Sequence, residues 1–156
     1  MNLDPESDLA RQVAAVMLSR DAMSRSLGIA VVEVRPGYAR VEMQIQPEML
    51  NSHAICHGGV IFTFADSAFA FACNSHNRST VASSASIDFI SPAQLGEKII
   101  AEATERTLTG RLGFYDVQVT ESSGRLVALF RGRSYRISGE SLGPIAGSDS
   151  NSKNDH

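Results

Sequence analysis

From Gly58 to Cys73 the chain reads GGVIFTFADSAFAFAC, apolar at nearly every position and charged only at Asp66. Apolar residues on all faces at the 3.6-residue period predict a helix buried all round, since a surface helix keeps one polar face. The polar run Asn74-Ser75-His76-Asn77 ends it. Ahead of it, residues 4–26 carry a second helical pattern. Asp4 is its N-cap, Pro5 its first residue, and Leu9, Val13, Val16 and Met17 form one apolar stripe at i, i+4, i+7 and i+8. Asp21 caps a short second helix ending at Gly28. Elsewhere the period is two. Residues 29–34 and 39–46 read as strands joined by the turn Arg35-Pro36-Gly37-Tyr38, with Val41, Met43 and Ile45 opposite Arg40, Glu42 and Gln44. Strands follow at 81–90 (Ala85, Ile87 and Phe89 on one face), 97–108, 111–121 (Tyr115, Val117 and Val119 on one face) and 125–137. Ser91-Pro92, Thr109-Gly110 and Ser122-Ser123-Gly124 separate them. From Ser138 onward the chain is rich in Ser, Gly, Asn and Asp and reads as a disordered tail, which leaves one domain over residues 1–137.

This order predicts an α+β fold in which a curved antiparallel sheet wraps one long central helix, because short connections favour antiparallel neighbours. A sheet covers only one side of a helix that is apolar all round, so the pattern calls for a second layer or a second subunit, and a homodimer is the expectation. A length of 156 residues suits one domain, and 43% hydrophobic residues suffice for its core. The net charge of -3 and the lack of a basic face argue against nucleic acid as a partner. The acidic start MNLDPESD has no apolar region of the kind that begins a signal peptide, and the one long apolar stretch is short and broken by Asp66, which argues against the membrane. Two cysteines, Cys56 and Cys73, do not make a disulfide framework, and the expected location is the reducing cytoplasm.

The chemistry centres on Asp66. A buried carboxylate costs several kcal/mol unless it is paired or employed. The segment Asn51-Ser-His-Ala-Ile-Cys-His57 brings polar groups to a helix start at Gly58-Gly59. Amides in the first turn of a helix lack intrahelical acceptors and face the positive end of the helix dipole, so those of Gly58 and Gly59 suit the oxyanion of a carbonyl under attack. Asp66 suits a nucleophile or a base that activates water, with Asn51 and His57 positioning the water or the leaving group. Ser83 or Ser84 on the next strand suits a hydrogen bond to the carboxylate or the water. Eight residues separate Gly58 from Asp66, about 12 Å along a helix, too far for both to act on one group from the same chain. The expected site is therefore shared, with Asn51, His57 and Gly58 from one subunit and Asp66 from the other. Arg111 and Gly113, after a turn, suit the phosphates of a nucleotide-like ligand. Each residue also has a plainer reading: Asp66 bonded to a neighbouring helix end, His57 as a helix cap, Asn51 as a turn residue, Gly59 as a helix contact, Arg111 as a solvated strand end. His53, Cys56, His57, Cys73 and His76 have no standard zinc spacing, and no metal is expected.

The string Asn51-x5-His57-Gly58-Gly59-x6-Asp66, followed by AFAFACNS, VASSASIDFISPAQLGE and GRLGFYDVQV…GRLVALFRGRSYRI, resembles the hotdog-fold acyl-CoA thioesterases, most of all the PaaI family of phenylacetic acid degradation. The resemblance runs from about Asp21 to Ile137. It implies a hotdog fold and a tetramer built from two dimers. Coenzyme A would lie along the surface near the subunit junction. The substrates would be phenylacetyl- or hydroxyphenylacetyl-type CoA thioesters, hydrolysed to free acid and CoA. No cofactor is implied beyond the substrate itself. Asp66 matches the catalytic carboxylate, Gly58 the residue whose N–H holds the thioester oxygen, and Asn51 and His57 the other polar site residues. Ser83 or Ser84 falls near a hydroxyl position. Cys56 and the tail after Ile137 have no counterpart in that mechanism. Two alternatives stay open: an acyl-thioester hydratase or dehydratase on the same fold, and a non-catalytic acyl-CoA-binding protein.

Overall fold

The structure, a computed structural model, describes residues 4–142. Helix α1 spans Pro5–Arg20, opened by the Asp4 side chain, which accepts from the Ser7 amide. Asp21 ends α1 and caps α2, Ala22–Ser26, accepting from the Ser24 amide at 2.9 Å. Strands β1 (Ala30–Arg35) and β2 (Tyr38–Gln44) follow, then the long helix α3 (Gly58–Asn74). The chain continues with β3 (Thr80–Phe89), β4 (Lys98–Thr109), β5 (Leu112–Glu121) and β6 (Leu126–Arg136). All pairings are antiparallel, in the order β1-β2-β4-β5-β6-β3. Helix α3 touches every one of these strands, which a flat sheet would not allow, so the sheet curls around it.

The alternating residues of β2 and β5 face that helix: Val41, Met43, Tyr115, Val117 and Val119 are buried with Phe64, Phe69 and Phe71 of α3. Phe69 stacks edge-on to Tyr115 at 5.4 Å and tilts against Phe130 at 5.9 Å. Beneath it lies Gly132. A Cβ there would sit 2.8 Å from the ring carbons, so the ring occupies the room that glycine leaves.

Three expectations change. The second side of α3 is covered largely by the chain's own α1 and α2: Ala10, Val13 and Ala14 are buried, and Ser24 Oγ lies 3.1 Å from Ser67 Oγ. The apolar helix therefore does not by itself require a partner. Next, the rule that short connections join neighbours holds for β4, β5 and β6 but fails for β3 and β4. The chain crosses from one edge beside β6 to the middle of the sheet, a short step only because the sheet is curled. Finally, β3 is an edge strand with little cover: of the face Ala85, Ile87 and Phe89 that alternation sets apart, Ala85 and Phe89 are exposed and Ile87 is only partly buried. The tail predicted from Ser138 begins in contact with the fold, since Ser141 Oγ donates to Asn74 Oδ1 and the Leu142 amide to Asn77 Oδ1. Residues 143–156 lie outside the described part.

Candidate active site

The loop before α3 is built by its own polar groups. Asn51 Oδ1 accepts from the His53 amide at 2.9 Å, and the Asn51 amide donates to the Ile55 carbonyl at 2.8 Å. The His57 amide donates to the Met49 carbonyl and the Cys56 amide to the Ala93 carbonyl, both at 2.8 Å, so the loop is tied down at its end. This delivers His57 as the N-cap of α3, and its Nδ1 accepts from the Gly59 amide at 2.9 Å. The expectation of two open amides is corrected here. The Gly59 N–H is taken by the cap, because a helix start recruits the nearest acceptor to an unsatisfied donor. The Gly58 amide has no acceptor among the described residues. It lines a cavity of about 340 Å³ with Asn51, Ile55, Phe89, Ile90 and Pro92. A Cβ on Gly58 would come within 3.1 Å of the Phe89 ring, so the bare backbone is what leaves this amide approachable.

Asp66 is half-buried and accepts no hydrogen bond among the described residues. Its pKa is raised above the ordinary carboxylate value, first by burial and then by the negative charge of Asp21. The hydroxyls of Ser67 and Ser83 are engaged elsewhere. Ser67 Oγ donates to the Thr63 carbonyl at 2.9 Å. Ser83, at a bulge in β3, donates to the Arg133 carbonyl and accepts from Arg133 Nε, both at 3.1 Å. Ser84 is exposed on the same edge, and its hydroxyl makes no hydrogen bond among the described residues.

Within one chain the predicted residues thus fall into three places. Asn51, His57 and Gly58 stand at the helix start and Asp66 at its middle. Arg111 and Gly113 line a separate cavity at the far end of α3 with Cys73 and Tyr115. The walls Phe89, Ile90 and Pro92 did not emerge from the sequence, where they read as strand and breaker. Asp21 was legible as a cap but not as a neighbour of Asp66. No group of three or more His, Cys, Asp or Glu able to hold a metal occurs among the described residues. Burial pushes the thiol of Cys56 up to about 11 and that of Cys73 to about 12, which keeps both protonated and unreactive near neutrality.

Residues 53–128 match the model of the thioesterase superfamily. Over 137 residues the chain is 42% identical to the acyl-coenzyme A thioesterase PaaI of Escherichia coli K12, covering 88% of this chain and 98% of the relative. The chain belongs to the PaaI branch of the thioesterase superfamily. Its fold is accordingly the hotdog fold, and its enzyme class is thioester hydrolase. The structure of the E. coli PaaI protein from the phenylacetic acid degradation operon superposes on this hotdog domain with a TM-score of 0.85, covering 86% of this chain and 97% of that one. Human acyl-coenzyme A thioesterase 13 is 32% identical over 122 residues, 76% of this chain and 87% of the relative. No helix of the described residues is long and apolar enough to cross a membrane.

Proposed function

We propose that this hydrolase cleaves acyl-CoA thioesters, with phenylacetyl- and hydroxyphenylacetyl-type esters as substrates, at a site shared between two subunits of a homodimer that pairs into a tetramer. One observation carries the reading. Asp66 and the Gly58 amide are complementary catalytic groups left without partners in their own chain and separated by about 12 Å along α3. The edge strand β3, with its exposed Phe89 beside Gly58, is the open border at which a second copy would bring its Asp66 to this amide. The names of the relatives, acyl-coenzyme A thioesterases and a protein of phenylacetic acid degradation, support the substrate class. We assign the activity to the cytoplasm, where CoA esters are made and consumed.

In the reaction the Gly58 N–H donates to the thioester oxygen and stabilises the negative charge that develops on it. Asp66 takes a proton from water, the hydroxyl adds to the carbonyl carbon, the C–S bond breaks, and the thiolate leaves to be protonated as free CoA. Direct attack by the carboxylate would pass instead through an anhydride that water then opens. Asn51 Nδ2 and His57 Nε2, which have no partners among the described residues, are available to the water or the leaving group.

The test is thiol release from a panel of acyl-CoA esters by wild-type protein and by coexpressed Asp66→Asn and Gly58→Val chains. Each variant alone is expected to be inactive. The mixed population is expected to recover about a quarter of wild-type turnover, since half the dimers are mixed and each holds one intact site. No thiol released from any ester would remove hydrolysis of CoA esters from consideration and leave hydration or simple binding. No recovery in the mixture would place the whole site in one chain.

A further inference from the structure

A second cavity, of about 580 Å³, opens at the C-terminal end of α3, between the first turn of α1, the β4–β5 turn and the end of β6. It shares no lining residue with the Gly58 cavity, and its nearest α3 residue, Cys73, lies about 22 Å along the helix from Gly58. The size suits a small organic ligand. Leu9, Leu108 and Leu112 supply apolar wall. Arg78, Arg111 and Arg136 stand at the mouth, and the same three arginines line an adjoining recess of about 270 Å³.

Two independent features point to a ligand. The first is the state of the arginines. Arg11, Arg35, Arg40, Arg106, Arg125 and Arg131 each lie within 4 Å of a carboxylate, whereas the three at the cavity mouth, like Arg20, Arg25 and Arg133 elsewhere, have no such partner among the described residues; of these, only the three at the mouth share one cavity. They come from the α3–β3 loop, the β4–β5 turn and the end of β6, so the fold, and not a local run of sequence, gathers them. Like charges brought together in this way repel one another unless an anion joins them. Glu6, the one carboxylate lining the cavity, makes no ion pair with them. Glu105, behind the wall, is occupied: Tyr115 OH donates to it at 2.7 Å, and His76 Nε2 lies 2.9 Å from the same oxygen.

The second feature is Ser134. It is only 2% exposed, lines the cavity and has no side-chain hydrogen bond among the described residues. Its hydroxyl is not one of the sealed polar atoms left without a partner, so it keeps access to the cavity and can bond what enters it. Its neighbour Gly113 keeps the space in front of it open, since a Cβ there would stand 2.5 Å from Ser134 Oγ and 2.9 Å from the Leu108 and Tyr115 side chains.

We propose that this cavity binds an organic anion, its phosphate or carboxylate head held by Arg78, Arg111 and Arg136. The apolar body seats on Leu9, Leu112 and Tyr115, with a hydrogen bond from Ser134 at the floor. Guanidinium groups suit such oxyanions because their forked donors match the geometry of the head. The anion chemistry stands on the cavity alone. Its two natural sources rest on the hydrolytic reading above: the phosphate end of a CoA ester, or the aryl acid that hydrolysis releases.

The experiment is calorimetric titration of the full chain with phenylacetate and, separately, with adenosine 3′,5′-bisphosphate, in low and high salt. It compares wild type, Arg78→Gln/Arg136→Gln and Ser134→Leu, after melting curves verify that each is folded. At least one probe is expected to bind, with Kd rising at least about tenfold in the arginine pair and rising with salt. Ser134→Leu, which fills the floor, is expected to weaken phenylacetate by a similar factor, and the arginine pair alone carries the test if that variant does not fold. Arginine-dependent binding of phenylacetate alone identifies a site for the released acid, and of the bisphosphate alone a seat for coenzyme A. No binding of either probe, or equal affinity in the arginine pair, overturns the proposal. Thiol release is scored apart: turnover without arginine-dependent binding removes only this site, and arginine-dependent binding without turnover removes only the hydrolytic reading.

Discussion

Asp66→Asn is expected to cut thiol release from aryl-acetyl-CoA by about 10²–10⁴-fold, the usual contribution of a positioned acid–base group, while making the protein melt higher at neutral pH. Burial, and then the charge of Asp21, raise the folded-state pKa of Asp66 above its unfolded value. Below the ordinary carboxylate range, near pH 3.9, both states are protonated and the group costs nothing. As pH rises from there toward the folded pKa, the native state holds its proton more tightly than the unfolded one. Stability therefore falls with pH, and the full cost is present above the folded pKa. Asparagine has no charge to bury, so the gain in melting temperature should be clear at pH 8 and vanish near pH 3. Undiminished turnover would remove Asp66 from the chemistry, and a melting gain independent of pH would remove burial of its charge as the cause. Asp21→Asn separates the two causes of the shift. Asparagine still caps α2 but carries no charge, so the acid limb of the pH–rate profile should move to lower pH. A limb that stays in place would mean that Asp21 does not act on the carboxylate.

Phe69→Ala should be the most damaging single change to the fold, costing about 3–5 kcal/mol. The ring is 1% exposed, wedged between Tyr115 and Phe130 over the bare backbone of Gly132. A cavity made there has no side chain at position 132 to collapse into it, and residual cavity volume is what raises the cost of such truncations. Urea unfolding of the two proteins measures it, and a loss below about 1 kcal/mol, the size of a tolerated core swap, would show that α3 is seated on the sheet by other contacts.

Much of this molecule is legible along the chain. The buried α3, the cap at Asp4, the second cap at Asp21 and the inward faces of β2 and β5 follow from periods of 3.6 and 2 and from short-range capping, which act over a few residues. The isolated charge of Asp66 and the glycines at the start of α3 are equally local signals, which is why the candidate residues could be named from the sequence. What α1 does is not local: it folds back with α2 over α3, and that return brings Asp21 toward Asp66 and supplies cover that the helix pattern left open between a second layer and a second subunit.

The same division explains the strands and the site. Alternation marks β3 as a strand but carries no information about its neighbours, and only the curl of the sheet put it on the open edge beside β6, with Phe89 against Gly58. Composition could not separate the two glycine amides: the rotamer of His57 closes one and leaves the other. Nor could it bring together Arg78, Arg111 and Arg136, which are distant in sequence and meet at one cavity because the α3–β3 loop, the β4–β5 turn and the end of β6 converge there. Element type, caps and the odd buried charge were set by interactions among near neighbours. Strand order, the open amide and the convergent charges were set by long-range packing, whose outcome depends on which surfaces fit together rather than on any short stretch of residues.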